Sequence, residues 1–354
     1  MKRYRCLYIL NERDKFMIEK AKRPSIKDVA KLAGVSITTV SQILNHKSER
    51  FPRDTIERVI AAKNQLGYIP NKSAQKLRGT AKPLIGVLVP SLRNPFFADL
   101  MQSMEEHANN QVELIFQAAK DADFKANIEN LVERGVNGLV IARTVERAEE
   151  TFTFLKQHGV AVTVLDQAND TGMADVLTTD DYHGGQLVGE FLVNQGHQSV
   201  ALIIPDIVTN NMQRRIDGFK NQWLAETRQL FEIKTVLSKH GGLAVSAKVA
   251  QLVSSGVTAA FTLNDELGIG LSRGLRNIGV KIPTDLSIIG YDNTDYSEFV
   301  NPALTTVTQP VWQLGQRALD MVTDRLKHPS MPYQAEELAV IRLVERESTQ
   351  ALTN

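Results

Sequence analysis

The chain has 354 residues, of which 43% are apolar and 23% charged, a composition typical of a globular protein with two or three domains. No apolar run reaches the ~20 residues that a membrane-spanning helix needs, and the basic start of the chain lacks the cleavage site of a signal peptide. The single cysteine, Cys6, excludes an internal disulfide and argues against a thiolate metal site. These features predict a cytoplasmic protein with no membrane partner, no metal and no other cofactor.

The charges of the chain are unevenly distributed. Residues 1–80 carry 18 lysines and arginines against 7 aspartates and glutamates, whereas the remaining residues carry 23 against 33. Clustered positive charge is expected of a module that binds the phosphates of nucleic acid. A basic head before an acidic body therefore favours DNA binding.

The stretch SIKDVAKLAGVSITTVSQILN, residues 25–45, predicts two helices joined by a tight turn. Ser25 can cap the first helix, Gly34 can end it in the left-handed conformation, and Ser36 can cap the second. The inward faces are expected to carry Ile26, Val29, Ala30 and Ala33 in the first helix, and Val40, Ile43 and Leu44 in the second.

The second helix leaves four side chains on its outer face: Ile37, Thr38, Ser41 and Gln42. Two helices in this arrangement are typical of a helix-turn-helix, whose second helix enters the major groove of DNA. An ordinary helical hairpin with a glycine turn has the same local pattern. The basic charge of the head favours the DNA-binding interpretation.

A third helix is predicted over about 53–66, with an apolar side formed by Ile56, Val59, Ile60 and Leu66. The segment that follows can form a short helix over residues 72–78, capped by Asn71. So short a helix is unstable in water on its own. We expect it to become ordered only when something packs on it.

From Leu84 onward, short apolar runs alternate with amphipathic helices. The runs LIGVLV, VELIFQA, GLVIAR, VAVTVLD, SVALIIP, TAAFTLN and LSIIGYD predict strands, and segments such as 96–109, 183–195, 212–225, 243–254 and 266–278 predict helices. This pattern indicates parallel sheets covered on both faces. It holds more strands than one compact sheet usually carries, so we expect an α/β body of two doubly wound lobes behind an all-α head.

Polar and aromatic side chains follow several of the predicted strands. Because ligands of open α/β sheets bind at the carboxyl ends of the strands, two lobes can bring these ends together at a cleft. Aromatic faces, carboxylates, amides and a guanidinium suit a polyhydroxylated ligand. The candidates are Asn94, Phe96, Phe97, Asp166, Arg215, Asn264, Asp292 and Gln309. Singly, each has a simpler explanation as a helix cap or a core side chain.

The sequence offers little support for an enzyme. The segment GIGLSRG misses the spacing of a dinucleotide-binding loop by one residue and falls within a predicted helix. Nucleophile-elbow, phosphate-loop and metalloprotease motifs are absent from the sequence. We therefore expect a binding protein that is not an enzyme.

These segments resemble the lac-repressor (LacI/GalR) family of bacterial transcription regulators. The resemblance rests on IKDVAKLAGVSITTVS in the head, RVIAAKNQLGYIPNKSAQKLRG at the hinge and LSIIGYDN, LTTVTQP and LGQRA in the body. It implies a homodimer whose heads read two half-sites of an operator, with the hinge helix inserted into the minor groove. The implied DNA-contacting residues are Ser36, Ile37, Thr38, Thr39, Ser41, Gln42, Asn45, Tyr68, Asn71, Ser73, Ala74 and Leu77.

The resemblance also divides the chain. Residues 1–23 would be an N-terminal extension, expected to be disordered; 24–70 the helix-turn-helix DNA-binding domain; 71–82 the hinge helix and linker; and 83–350 the effector-binding and dimerisation domain. Within that domain, lobe one would comprise about 83–178 and 311–338, and lobe two about 179–308 and 339–350.

The body is similar to periplasmic sugar-binding proteins, particularly the ribose binder, and the eight candidates named above match its ligand residues. The ribose pattern has an arginine directly after the aspartate, whereas this chain has Gln167. The resemblance therefore implies a sugar-responsive repressor, with ribose or a related sugar as effector. Alternatives are a purine-type corepressor sensor, a global carbon regulator that binds a phosphorylated carrier protein, and a sugar-binding protein that does not act on DNA.

Gln42 generates a prediction about operator preference. The family usually has arginine at this position, which suits the O6 and N7 acceptors of guanine, whereas a glutamine amide matches N6 and N7 of adenine. We expect the protein to prefer adenine there and Gln42→Arg to restore guanine, with discrimination of ~1–3 kcal/mol. Selection from a randomised half-site library with both proteins measures this, and identical selected sequences would contradict it.

Overall fold

A computed structural model describes residues 24–44, 50–68, 82–119, 123–166, 172–224, 228–339 and 341–352. The described residues fall into two compact units that meet in sequence between residues 81 and 82. We call them the head and the body. The predicted extension at 1–23, most of the predicted hinge at 71–82, and Gln167 lie outside the described residues.

The head contains the three predicted helices, α1 (Ile26–Ala33), α2 (Ile37–Leu44) and α3 (Arg53–Leu66). The capping predictions are confirmed. Asp28 Oδ2 accepts bonds from the Ser25 backbone N–H and hydroxyl at 2.8 and 2.7 Å, Gly34 has φ of 68°, and the Ser36 hydroxyl accepts from the Thr39 N–H at 3.0 Å. The turn between α1 and α2 therefore forms as the sequence indicates.

One expected core residue of the head is misplaced. Ile60 is 40% exposed, whereas Val59 and Ala62 are buried against α1 and α2. At 100° per residue, Ile60 lies on the flank of the stripe formed by residues 56, 59, 62, 63 and 66. The prediction for Ile60 was wrong because the helix buries a narrower face than its apolar content suggests.

The described body contains twelve strands. The seven predicted strands are confirmed, and the other five were missed because they are short or carry polar side chains, as in TTVT and AEEL. The twelve strands are β1 (Leu84–Val89), β2 (Glu113–Ala118), β3 (Gly138–Ile141), β4 (Ala161–Leu165), β5 (Asp175–Thr179), β6 (Ser199–Pro205), β7 (Gln229–Thr235), β8 (Ala259–Thr262), β9 (Ser287–Asp292), β10 (Thr305–Thr308), β11 (Ala335–Leu338) and β12 (Arg342–Val344).

Helices alternate with these strands. They are α4 (Pro95–Ala108), α5 (Phe124–Glu133), α6 (Ala148–Gln157), α7 (Asp181–Asn194), α8 (Asn210–Trp223), α9 (Lys239–Ala244), α10 (Ser246–Ser254), α11 (Asp265–Asn277), α12 (Asp295–Phe299) and α13 (Val311–Lys327). The helix predicted over 243–254 is divided, since α9 ends and α10 begins at Val245. In the part of the chain that is described, no helix is both long and apolar enough to cross a membrane.

The strands form two six-stranded sheets. Lobe one has the order β11-β5-β4-β3-β1-β2, and lobe two has β12-β10-β9-β8-β6-β7. All described pairs are parallel except β12 with β10. The chain crosses between the lobes three times: from β5 to α7, from β10 to α13, and from β11 to β12. The predicted two-lobed α/β architecture is confirmed.

Each sheet is covered on both faces by apolar side chains from its helices. In lobe one, α4 and α13 cover one face, and α5 and α6 cover the other. In lobe two, α7 and α8 cover one face, and α10 and α11 cover the other. Because these layers fix the strands, the carboxyl ends of the strands become rigid supports for polar side chains.

A buried ion pair secures the last helix of lobe one. Arg325, near the end of α13, donates from Nε and Nη2 to the two carboxylate oxygens of Asp175 at 3.0 and 2.8 Å. Both side chains are buried. Such two-pronged bonds fix geometry more firmly than a single contact does.

Arg325→Met should destabilise the protein by about 3–5 kcal/mol, because it leaves the Asp175 carboxylate buried without its partner. Arg317 on the same helix makes a half-exposed pair with Glu336, so Arg317→Met should cost at most about 1 kcal/mol. Urea unfolding of both variants measures the difference. Equal losses would show that burial does not set the strength of these pairs.

Candidate ligand-binding site

A cavity of about 680 Å³ lies between the two lobes, at the carboxyl ends of their strands. All eight residues that the sequence nominated line it: Asn94, Phe96, Phe97, Asp166, Arg215, Asn264, Asp292 and Gln309. The structure thus brings together side chains that lie more than 200 positions apart in the chain. Their contact with a ligand remains a prediction.

Lobe one supplies the aromatic wall. Asn94 caps α4, since its Oδ1 accepts from the Phe96 N–H at 3.0 Å, and this cap directs the start of the helix toward the cavity. The rings of Phe96 and Phe97 meet edge to face, with centroids 5.2 Å apart. Such a wall can cover the C–H face of a sugar ring.

Asp166 reaches from lobe one to lobe two. It follows β4 with φ of 66°, a left-handed conformation that is uncommon for a residue other than glycine. Its Oδ1 accepts from the backbone N–H of Asn211, at the start of α8, at 2.7 Å, and its Oδ2 accepts from the Thr144 hydroxyl at 3.3 Å. The carboxylate therefore bridges the cleft.

Burial, together with the nearby charge of Asp181, raises the pKa of Asp166 to about 7, although the bond from Asn211 and the charge of Arg215 oppose the shift. Asp292 behaves similarly. Burial raises its pKa to about 8, although Arg215 acts in the opposite direction. Two of the acids of the cavity are thus poised to change protonation near neutral pH.

Arg215 is the central charge of lobe two and is 2% exposed. Its Nε donates to Asp181 Oδ1 at 2.7 Å, its Nη1 donates to the Leu263 carbonyl at 2.8 Å, and the same Nη1 lies 3.7 Å from Asp292 Oδ1. The guanidinium lies 3.8 Å from the centre of the Tyr291 ring. These contacts fix its position before any ligand arrives.

Two amides complete this wall. Asn264 caps α11 through its Oδ1, which accepts from the Leu267 N–H at 3.0 Å. This residue is therefore a helix cap as well as part of the cavity lining. Gln309 donates from Nε2 to Asp292 Oδ1 at 2.6 Å. Asp292 itself has φ of 112°, a conformation held by the surrounding bonds. Both amides present polar groups beside the acid.

The sequence did not nominate two buried residues of the site, Asp181 and Tyr291. The Tyr291 hydroxyl donates to Asp181 Oδ1 at 3.1 Å, and Asp181 also lines the cavity. Asp181 follows β5, whose polar sequence DVLTT concealed it as a strand. Recognition of β5 would have placed Asp181 at the same sheet edge as the others.

The charged groups that line the cavity suit a ligand rich in hydroxyl groups. Its lining carries the guanidinium groups of Arg143, Arg214 and Arg215, and the carboxyl groups of Glu146, Asp166, Asp181, Asp206 and Asp292. Paired donors and acceptors of this kind hold adjacent hydroxyls. Among the described residues, no group of three or more histidine, cysteine, aspartate or glutamate side chains is arranged to hold a metal ion.

The predicted DNA-contacting face of the head is only partly described. In and beside α2, Ser36, Ile37 and Thr38 are exposed, and Thr39, Ser41 and Gln42 are half-buried. Tyr68 packs in the core of the head and is 8% exposed. Outside the described residues lie Asn45, Asn71, Ser73, Ala74 and Leu77.

The fold and the cleft define a two-lobed binding protein that carries a helix-turn-helix head. Residues 25–71 match the family of bacterial regulatory proteins named lacI, and residues 190–349 match the periplasmic binding protein-like domain. The HTH-type transcriptional repressor PurR of Vibrio cholerae is 30% identical over 336 residues, which are 93% of this chain and 99% of that repressor. The chain belongs to the lacI family and is a DNA-binding transcriptional regulator.

Solved structures show the same architecture. A LacI family regulator from Enterococcus faecium with bound ribose is 38% identical, with a TM-score of 0.70, and covers 76% of this chain and 100% of its own. The lac repressor dimer bound to operator and the anti-inducer ONPF is 26% identical, with a TM-score of 0.77. The match covers 93% of this chain and 100% of the lac repressor chain. The likeness to the lac repressor spans most of the chain, whereas that to the ribose-bound regulator covers about three quarters of it.

The pKa of Asp166 generates a prediction about stability. Because the native state holds this proton more tightly than the unfolded chain does, the free energy of unfolding falls as pH rises from 3.8 to about 7. Asp166→Asn removes this fall in the free energy of unfolding, because asparagine does not ionise, but it keeps an acceptor for the Asn211 N–H. The variant should therefore gain stability over wild type at pH 8 and not at pH 4. Each pH unit by which the folded pKa exceeds the unfolded pKa contributes about 1.4 kcal/mol to this gain.

Urea unfolding at both pH values measures this gain. Asp217→Asn, on the exposed side of α8, is the matched control for the exchange of an aspartate for an asparagine. A stability difference between Asp166→Asn and wild type that is the same at pH 4 and pH 8 would show that Asp166 does not titrate in this range.

Proposed function

We propose that this regulator is a repressor whose affinity for its operator is controlled by a small sugar, ribose or a related sugar, bound between the two lobes. The observation that carries the proposal is the convergence of two phenylalanine faces, three acids, three amides and one arginine on a single cavity. Asp181 is the third acid, in addition to those the sequence nominated. This set matches the alternating hydroxyl and C–H groups of a sugar.

The relatives support this choice of ligand. The regulator from Enterococcus faecium has bound ribose and is 38% identical to this chain. The PurR relative favours a purine-type corepressor as the second candidate. A planar base is well held between two aromatic faces, whereas the aromatic side chains that line the cavity, Phe96 and Phe97, both belong to lobe one. The sugar is therefore the better match.

The assembly and the division of the chain are further parts of the proposal. The solved lac repressor is a dimer on its operator, and we infer a homodimer here, because two heads are needed to read two half-sites. The body would be the effector-binding and dimerisation domain, and residues 71–82 the hinge that orders on DNA. A protein with this role works in the cytoplasm, where the operator is. A phosphorylated carrier protein is the candidate for an additional coregulator.

Titration calorimetry of the purified protein against ribose, other pentoses, hexoses, and purine bases and nucleosides tests the ligand. Operator binding with and without the tightest of these compounds tests the control. Binding of a sugar together with a changed operator affinity is the expected result. A purine that binds while every sugar fails would replace the proposal with its alternative.

At pH 9, above the raised pKa of Asp292, Asp292→Ala should weaken sugar binding by about 1.5–3 kcal/mol, because a charge-assisted bond to a hydroxyl is lost. Asp217→Ala removes a carboxylate from the exposed side of α8 and is the control, for which we expect unchanged sugar affinity. Calorimetry measures both affinities, and anisotropy of labelled operator checks that neither variant alters DNA binding without sugar. Normal sugar binding by Asp292→Ala would mean that the ligand lies elsewhere.

A further inference from the structure

Five buried side chains that line the cavity form a closed ring of polar contacts. Arg215 contacts Asp181 at 2.7 Å, and Asp181 Oδ2 accepts from the Thr179 hydroxyl at 2.7 Å. The Thr179 hydroxyl lies 3.4 Å from Gln309 Oε1, Gln309 donates to Asp292 at 2.6 Å, and Asp292 faces Arg215 at 3.7 Å. All five side chains are at most 9% exposed.

The ring passes through two of the three places where the chain crosses between lobes. Thr179 ends β5 in lobe one, and Asp181 begins α7 in lobe two. Gln309 lies between β10 of lobe two and α13 of lobe one. A rotation of one lobe against the other must change backbone torsions at these crossings. It therefore changes the separation between Thr179 and Gln309.

Thr179 has one hydroxyl proton and two acceptors within reach. The short contact to the Asp181 carboxylate is the stronger one, because a charged acceptor shortens and strengthens a hydrogen bond. The 3.4 Å contact to Gln309 is weak in this arrangement. A small displacement at either crossing would move the proton from one acceptor to the other, so the hydroxyl has two alternative hydrogen bonds.

We propose that Thr179 and Asp181 couple occupation of the cavity to the relative orientation of the two lobes. This inference rests on the proposed function. Arg215, Asp292, Asp181 and Gln309 are the ring members that would meet the sugar, and Thr179, Asp181 and Gln309 lie at the crossings. A ligand that draws on Arg215 and Asp292 changes how firmly they hold Asp181 and Gln309. Both the ligand and the orientation of the lobes then bias the same hydroxyl, which is the physical requirement for coupling between sites.

The experiment measures the affinity for a selected operator duplex with and without D-ribose, and the affinity for D-ribose alone. In wild type we expect D-ribose to change operator affinity by roughly 5–150-fold, the usual range of allosteric coupling. Thr179→Val keeps the shape of the side chain and removes the hydroxyl. In this variant the change should fall below about threefold, while affinity for D-ribose stays within about threefold of wild type, as expected of a positioning residue rather than a ligand.

Three further variants make the result specific. Thr179→Ser keeps the hydroxyl and should retain the response, and Thr179→Ala should lose it even if the valine variant folds poorly. The matched control is Thr163→Val in β4. The Thr163 hydroxyl is buried and has no hydrogen-bond partner among the residues that the structure describes, so the same substitution there should leave the response intact.

The outcomes separate the two proposals. A wild-type protein whose operator affinity responds neither to D-ribose nor to any of the other pentoses and hexoses screened above overturns the proposed function and this inference together. A wild-type response that persists in Thr179→Val and Thr179→Ala overturns only the coupling role. Loss of D-ribose affinity beyond about tenfold in Thr179→Val, or loss of the response in Thr179→Ser, also contradicts that role.

Discussion

The burial of Arg215 between two carboxylates is the constraint on which the cavity depends. A guanidinium taken out of water is costly unless charge and hydrogen bonds compensate it. Burial alone would lower the pKa of Arg215, but its neighbours, above all the charge of Asp181, raise it above its ordinary value. Asp181 and the Leu263 carbonyl satisfy two of its nitrogen atoms. The arginine therefore remains charged and fixed.

Close helix packing places that arginine. Gly185 of α7 faces the backbone of α8, and a Cβ atom there would lie 2.0 Å from the Arg215 carbonyl oxygen. Only glycine allows the two helices to approach so closely. The position of Arg215 in the cavity thus depends on Gly185, a residue with no side chain. The sequence indicated only that the segment around Gly185 begins a helix.

Local sequence patterns predicted the parts of the fold that local forces determine. The caps at Ser25 and Ser36, the left-handed Gly34 and the seven apolar strands follow from propensity and periodicity, and all are present. The polar strands β5, β10 and β11 could not be recognised, because their stability comes from pairing with distant neighbours rather than from their own residues. The expected helix over 243–254 missed its break at Val245 for a similar reason.

The same distinction holds for the site. Asn94, Asp166, Asn264 and Asp292 follow recognisable strands, so their approach to one edge could be predicted. Their fine geometry could not. The link from Asp166 to the start of α8 and the ring through Thr179 and Gln309 depend on how two lobes meet, and no local pattern of residues encodes that arrangement.

The three crossings also dictate an order of synthesis and folding. The head is contiguous in sequence, and its described part is complete once Tyr68 has been made. Lobe one is not contiguous in sequence. Its strand β11 can pair with β5, and its helix α13 can pack on β3 and β4, only after the whole of β6 to β10 has been translated. During that interval β5 presents an unpaired edge, and the apolar face of the sheet that α13 covers is open. A ribosome-bound chain would thus carry a finished DNA-binding head ahead of an unfinished sensor, with aggregation of the exposed strands as its characteristic hazard.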